Sequence, residues 1–69
     1  MVKYLIIYDI PRELKVLQVT VNRALKRVKA EKFQHSIWES ESLSDLKSIA
    51  NTIRANKGRV NILEKKVVF

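Results

Sequence analysis

The 69-residue chain contains no cysteine and has only one histidine, one glycine and one proline. The absence of cysteine excludes disulfides, thiol nucleophiles and zinc–thiolate sites, and a single histidine cannot supply the about four ligands of a structural zinc. One glycine excludes the glycine-rich loops that bind nucleotide phosphates. With so few turn-forming residues, we expect nearly the whole chain to lie in helices, strands and short connections.

Long apolar runs are also missing. The apolar stretch that begins at Tyr4 is interrupted at Asp9, far short of the about 20 residues that a membrane-spanning helix needs. We find no signal peptide, and together with the lack of cysteine this predicts a cytoplasmic protein without a membrane partner. The length predicts a single domain over residues 1–69.

The small size creates a need for additional stabilisation. A domain of this length buries about 60% of the surface of its unfolded chain, and a single core of that size supplies about 3–5 kcal/mol. Because disulfides and a structural zinc are excluded, a second subunit is the remaining source of stability. We therefore expect a homodimer.

Positive charge dominates the composition. Fourteen Lys and Arg residues stand against seven Asp and Glu residues, which gives a net charge of +7 and an isoelectric point near 10.1. Such a field attracts polyanions and predicts binding to RNA or DNA, with charge that only maintains solubility as the alternative. The candidate phosphate-binding residues, for which a solvated helix face is the alternative, are Arg12, Arg23, Lys26, Arg27, Lys29 and Lys32.

Hydrophobic periodicity predicts two helices and four strands. The predicted elements are a strand at Val2–Tyr8, a helix from about Pro11 to about Ala30, a strand at Phe33–Glu39, a turn with a very short strand within Glu39–Ser42, a helix after Ser42, and a closing strand formed by Arg59–Leu63 and Lys65–Phe69, with a bend near Glu64. This order is the ferredoxin-like βαββαβ arrangement of the α+β class, in which two helices cover one face of an antiparallel sheet.

Local signals mark the helix ends. Pro11 suits a first helical turn, and Ser42 with Asp45 resembles a capping box in which each residue bonds to the other's backbone. Gly58 fits a left-handed position after the second helix. The apolar residues that recur at helical spacing are Leu14, Leu17, Val21, Ala24, Leu25 and Val28 in the first helix, and Leu43, Leu46, Ile49, Ala50 and Ile53 in the second.

The second face of the sheet needs a cover. From Tyr4 onward the first strand is apolar at consecutive positions, a pattern typical of strands that are covered on both faces. The two helices cover one face, and the predicted elements leave the other face open. We expect a second copy of the chain to pack there.

Asp9 is the best candidate for chemistry. It stands at the carboxyl end of the first strand, and two sheets packed about a two-fold axis could bring two copies of Asp9 together. Close carboxylates repel each other unless a cation intervenes, and Mg²⁺ or Mn²⁺ with several waters suits that role and could activate a water or polarise a phosphate. The alternative is that Asp9 caps the helix that begins near Pro11.

Other polar and aromatic residues give weaker signals. Ser36 adjoins His35, but neighbouring strand residues point to opposite faces and cannot form a nucleophile–base pair. The aromatic residues have two readings, stacking on bases or packing in the core or dimer interface, and packing is the commoner one. They are Tyr4, Tyr8, Phe33 and Trp38.

Two short segments carry a resemblance to a known family. Tyr8-Asp9-Ile10 at the end of the first strand, followed after a long helix by the segment Phe33–Glu39, resembles the second CRISPR-associated protein family, the small ferredoxin-like partner of the CRISPR integrase. The resemblance implies an antiviral-defence protein: a homodimer whose paired Asp9 residues bind Mg²⁺ or Mn²⁺ and hydrolyse RNA or duplex DNA. It also implies supporting positions at Tyr8, Ser36 and Trp38 and a bridging role between integrase dimers.

The chain departs from the family pattern at several positions. Gln18 and Thr20 stand near places where arginines are common, Lys29 or Ala30 stands near a usual glycine, and Ser40 replaces another. These departures leave open a non-catalytic nucleic-acid-binding scaffold and a ribonuclease similar to the virulence-associated protein D toxins.

Overall fold

The computed structural model describes residues 2–66. Its elements are β1 (Lys3–Asp9), α1 (Lys15–Arg27), β2 (Glu31–Gln34), β3 (Ile37–Ser40), α2 (Leu43–Ala55) and β4 (Arg59–Lys65). The predicted α+β class and the predicted order of strands and helices are confirmed. The last three residues of the predicted closing strand, 67–69, lie outside the described residues, and β4 continues through Glu64, where the sequence predicts a bend.

The four strands form one antiparallel sheet in the order β2-β3-β1-β4. The strand β1 lies inside the sheet because it is the most apolar of the four, with Leu5, Ile6 and Ile7 in succession. In the register, Ile6 lies opposite Trp38 of β3 and opposite Ile62 of β4.

Both helices pack against one face of this sheet. Ile6 and Trp38 point into a common core with the apolar stripes of α1 and α2, which confirms those stripes. The largest fully buried side chains, which hold the helices to the sheet, are Ile6, Val21, Leu25, Leu46 and Ile53. At about 25 cal/mol per Å² of buried apolar surface, each contributes on the order of 2 kcal/mol to folding.

The predicted single strand at Phe33–Glu39 is wrong. His35 and Ser36 form a turn that divides this segment into β2 and β3, and Ser36 has a positive φ of 66°. The third strand is therefore Ile37–Ser40 and not a short strand within Glu39–Ser42. The alternation of residue types continues through the turn without Gly or Asn, so the sequence pattern carries no sign of the reversal.

The first helix begins later than Pro11. The backbone N–H of Leu14 donates to Pro11 O (3.0 Å), which makes a separate turn, and the helix begins at Lys15 with Leu14 as its N-cap. No side chain accepts a hydrogen bond at this N-cap. The alternative role of Asp9 as the helix cap is therefore wrong.

The second helix begins after Ser42 as predicted, but the backbone N–H of Ser42 bonds to a different side chain from the one predicted. The backbone N–H of Asp45 donates to Ser42 Oγ (3.4 Å), so the N-cap role of Ser42 is confirmed. Asp45 does not complete the capping box, because the backbone N–H of Ser42 donates to Ser40 Oγ (3.0 Å). Ser40 thus links the end of β3 to the start of α2.

Both helices end in a Schellman motif with lysine at the left-handed position. Lys29 (φ 60°) follows α1 and Lys57 (φ 70°) follows α2, and the next residues donate their N–H to Leu25 O (3.0 Å) and Ile53 O (2.9 Å). The left-handed position predicted for Gly58 is therefore wrong, since φ of Gly58 is not positive. Gly58 is required for space instead, because an added Cβ would lie 2.5 Å from Cγ2 of Ile53.

Replacing Lys57 by glycine is expected to stabilise the fold by about 0.5–1 kcal/mol, because glycine adopts a positive φ without the steric cost of a Cβ. Chemical denaturation of Lys57→Gly should show a higher midpoint at an unchanged slope. Lys47→Gly, the same replacement inside α2, is the control and should destabilise the fold by about 1 kcal/mol. A lower midpoint for Lys57→Gly would contradict the left-handed assignment.

Candidate functional site

The sheet face opposite the helices, which we call the open face, carries an apolar strip. Because Ile6 points into the core, the alternate residues Leu5 and Ile7 point to the open face. Their register partners Leu63 and Ile37 lie beside them on the neighbouring strands. Leu63 is 51% exposed and the other three are half-buried. We call these four residues the apolar strip.

Asp9 lies at one end of the apolar strip, on the same face, and is exposed. Arg59, also exposed, is its register partner on β4. On the other side of β1 the turn at His35–Ser36 lies against the strand end, because the backbone N–H of Tyr8 donates to Ser36 O (3.1 Å). Residues 2–66 contain two ion pairs, and Glu39 is the acidic partner in both. Within these residues the Asp9 carboxylate therefore forms no ion pair.

The carboxylate of Asp9 fits a divalent metal only in part. No group of three or more His, Cys, Asp or Glu residues suited to a metal occurs within residues 2–66. Mg²⁺ is commonly held by one or two carboxylates and completes its octahedron with waters and substrate phosphates. This end of the sheet supplies one such carboxylate, so the donor chemistry would fit Mg²⁺ or Mn²⁺ only if a second carboxylate, such as another copy of Asp9, contributed.

The opposite end of the open face holds the only buried charged residue among residues 2–66, Glu39. Its carboxylate accepts a hydrogen bond from Lys65 Nζ (2.8 Å) and lies 3.6 Å from Lys3 Nζ. The Lys65 ammonium also lies 5.3 Å from the ring centroid of Phe33. The hydrogen bond from Lys65 lowers the pKa of Glu39, desolvation opposes this shift, and the charges of both lysines add to the lowering.

The lowered pKa predicts an acid-sensitive contribution to stability. Glu39 should stabilise the fold fully above the pKa of an unfolded glutamate, about 4.3, and this contribution should be lost as pH falls through the lower folded pKa. Urea unfolding should therefore show that Glu39→Gln has a lower free energy of unfolding than wild type. This difference in free energy should be constant near neutral pH and should shrink below about pH 4. The exposed Glu41→Gln is the control, and an equal difference at acidic and neutral pH would contradict the prediction.

Two of the proposed supporting residues belong to the helix-covered side of the sheet. Trp38 is 4% exposed, and its Nε1 donates to the Tyr8 hydroxyl oxygen (3.2 Å). Burial raises the pKa of Tyr8, and the hydrogen bond from Trp38 opposes the shift. Trp38 is thus a core residue that cannot stack on a base, whereas Phe33 is 55% exposed. Ser36 contributes its backbone carbonyl to the strand end beside Asp9.

The basic residues chosen from the sequence do not form one site. All are exposed, but Lys29 lines a cleft of about 300 Å³ with Lys3, Glu31 and Glu39, which places it at the end of the sheet opposite Asp9. The seven residues of β1 separate the two ends by about 20 Å. Lys26 and Arg27 lie in the last turn of α1, just before Lys29, and Arg23 lies about one turn earlier in the same helix. Lys32 lies in β2, and Arg12 stands three positions after Asp9, in the turn before α1.

The structure adds one residue that sequence reasoning missed. Arg59 is the residue nearest to Asp9 across the sheet, although 50 positions separate the two in sequence. The one signal that the sequence offers is its place as the first residue of a predicted strand, since an antiparallel neighbour of β1 must begin where β1 ends.

Comparison with known proteins gives no match, either to a family model or to a curated protein. Within residues 2–66, no helix is long and apolar enough to cross a membrane. The functional argument therefore depends on the geometry of the open face and on the residues at its two ends.

Proposed function

We propose that the chain is a homodimeric, metal-dependent endonuclease with a ferredoxin-like fold, of the kind found in the second CRISPR-associated protein family. The antiparallel sheet in the order β2-β3-β1-β4, with both helices packed into one core, supports the ferredoxin-like assignment. The observation that carries the functional proposal is the position of Asp9: an exposed carboxylate, free of any ion pair within residues 2–66, at the end of an apolar strip.

The apolar strip supports the dimer. A sheet that is apolar on both faces is covered on both faces in stable proteins, and the helices cover only one side of this sheet. A second copy packed on Leu5, Ile7, Ile37 and Leu63 would bury these side chains and bring two Asp9 residues towards a two-fold axis.

The two Asp9 carboxylates would hold the Mg²⁺ or Mn²⁺ ion, which when bound supplies a water of lowered pKa and neutralises charge on a phosphate. The chain itself supplies a rigid mount, because Asp9 is the last residue of an interior strand that is bonded on both sides near its end. Its open position lets a phosphodiester approach from solvent. The reaction is hydrolysis of the phosphodiester, with water as the nucleophile.

Cleavage of labelled single-stranded RNA and duplex DNA tests this proposal. The purified protein should cut at least one substrate with Mg²⁺ or Mn²⁺ and should not cut with excess chelator. Sedimentation velocity on the same sample should show a dimer. A dimer that binds either substrate without cutting it contradicts the nuclease and leaves the second candidate function.

That second candidate is a non-catalytic scaffold that binds nucleic acid and bridges the CRISPR integrase. It is favoured by the position of Lys29 at the end of the sheet opposite Asp9, with Lys26 and Arg27 just before it in the last turn of α1. Residues so far apart contact different parts of a long polyanion, which suits a bridge. Charge reversal at Arg27 should then weaken binding to duplex DNA. The affinity should also depend less steeply on salt concentration, because the variant neutralises fewer phosphates.

A further inference from the structure

The end of the open face that carries Asp9 also carries a guanidinium. Arg59 is the register partner of Asp9, and Val60, which follows it, is 7% exposed and points into the core. Because side chains alternate along a strand, Arg59 points to the open face, beside Asp9. Directly opposed residues of an antiparallel pair have Cβ atoms about 5 Å apart.

These two opposite charges do not neutralise each other in an ion pair. Within residues 2–66 the Lys and Arg side chains that pair with a carboxylate are Lys3 and Lys65, both on Glu39. Arg59 is exposed, as is Asp9. A guanidinium that is exposed and not engaged in an ion pair can bind a phosphodiester with two parallel hydrogen bonds.

The backbone around Arg59 holds it in place. The preceding Gly58 allows the chain to pass close to α2, since a Cβ there would approach Cγ2 of Ile53 to 2.5 Å and Asp9 O to 3.5 Å. The following residue is fixed by Arg54, whose Nη2 donates to Val60 O (3.4 Å). The start of β4 is therefore anchored both to α2 and to the end of β1.

We propose that Arg59 is a phosphate-binding residue that positions a phosphodiester of RNA or DNA beside Asp9. This inference rests on the proposed function for the identity of the substrate, but it concerns binding, which can be measured without cleavage. It assigns the nucleic-acid contact at the Asp9 end of the sheet to a residue of β4 rather than to α1.

The test measures binding of a labelled 12-nucleotide single-stranded RNA and a 12-base-pair DNA duplex by fluorescence anisotropy, with chelator present and over a range of salt concentrations. Arg59→Gln should weaken binding about three- to tenfold. It should also reduce the slope of the logarithm of the binding constant against the logarithm of the salt concentration by about one for each phosphate that the variant no longer neutralises. Arg59→Lys should have an intermediate effect, since it keeps the charge but lacks the planar fork. Lys47→Gln, which removes the same charge from the exposed side of α2, is the matched control and should have a smaller effect.

The location of binding is read from ¹⁵N NMR spectra titrated with the oligonucleotide that binds more tightly. In wild type the backbone amides of Asp9, Gly58 and Arg59 should shift, and these shifts should be absent in Arg59→Gln but kept in Lys47→Gln. Equal effects of the two Gln variants on affinity, or shifts confined to other parts of the chain, would overturn the inference.

The cleavage assay separates this inference from the proposed nuclease. Local shifts that depend on Arg59, in a protein that does not cut, would support the phosphate site and reject the nuclease. Metal-dependent cleavage that is unchanged in Arg59→Gln, with no local shifts, would support the nuclease and overturn the inference.

Discussion

Asp9→Asn is expected to reduce metal-dependent cleavage by at least about 100-fold, since it replaces a charged metal ligand by a neutral amide at both positions of the proposed site. The fold should remain intact, because Asp9 is exposed and surface substitutions of this kind change stability by about 0.5 kcal/mol or less. Rates should be measured with Mg²⁺ or Mn²⁺ for wild type and variant after both are shown to be folded dimers.

The same variant separates catalysis from binding. Removal of one negative charge per protomer raises the net charge from +7 to +8, so the affinity for RNA or DNA should not fall. Glu13→Gln is the matched control, because Glu13 is an exposed carboxylate in the turn that follows Asp9 and its replacement changes the charge equally. Full cleavage by Asp9→Asn, or an equal loss in both variants, would remove Asp9 from the reaction and favour the scaffold.

The helices were predictable because their apolar residues recur at the helical period. This spacing places them on one side of a helix and not on one side of a strand. Leu17, Val21 and Leu25 are all buried, as this period requires. The ends of the helices were less predictable. Lysine at a positive φ, as in Lys57, depends on the closing hydrogen bonds of the C-terminal motif rather than on residue preference.

The four strands were predictable in number, and the first and last also in position, but the two middle strands were not. A two-residue turn reverses the side on which later residues lie, and nothing in His35-Ser36 resembles the Asn-Gly or Asp-Gly pairs that mark such turns. Asp9 could be proposed from its place at a strand end, whereas its pairing with Arg59 follows only from the register between β1 and β4. The register between β1 and β4 is fixed by packing of residues such as Ile6 and Ile62, which are distant in sequence.

The buried glutamate is a further feature that the sequence could not disclose. Glu39 reads as an ordinary polar residue at the end of a strand, and its two lysine partners come from β1 and β4. Only the order of strands in the sheet brings them together. Charged clusters of this kind depend on topology, and local patterns of polar and apolar residues carry no information about them.

Ile7→Lys is expected to weaken the proposed dimer by at least about 100-fold, because each subunit would bury an unpaired ammonium in the apolar strip. The monomer should tolerate the change, since Ile7 is only half-buried there and a lysine can extend its charge into solvent. Sedimentation velocity over a concentration series should show a dimer for wild type and a monomer for the variant. Cleavage should disappear with the dimer, because Asp9 then has no second copy beside it.

Val16→Lys provides the matched control for this experiment. Val16 lies on α1, is 80% exposed and is remote from the open face, so the same change of an apolar side chain to a charge should leave both the dimer and cleavage unchanged. A dimer that persists in Ile7→Lys would place the interface elsewhere on the molecule. If wild type itself is monomeric at micromolar concentration, the apolar strip is not a dimer interface and Asp9 cannot act as one of a pair.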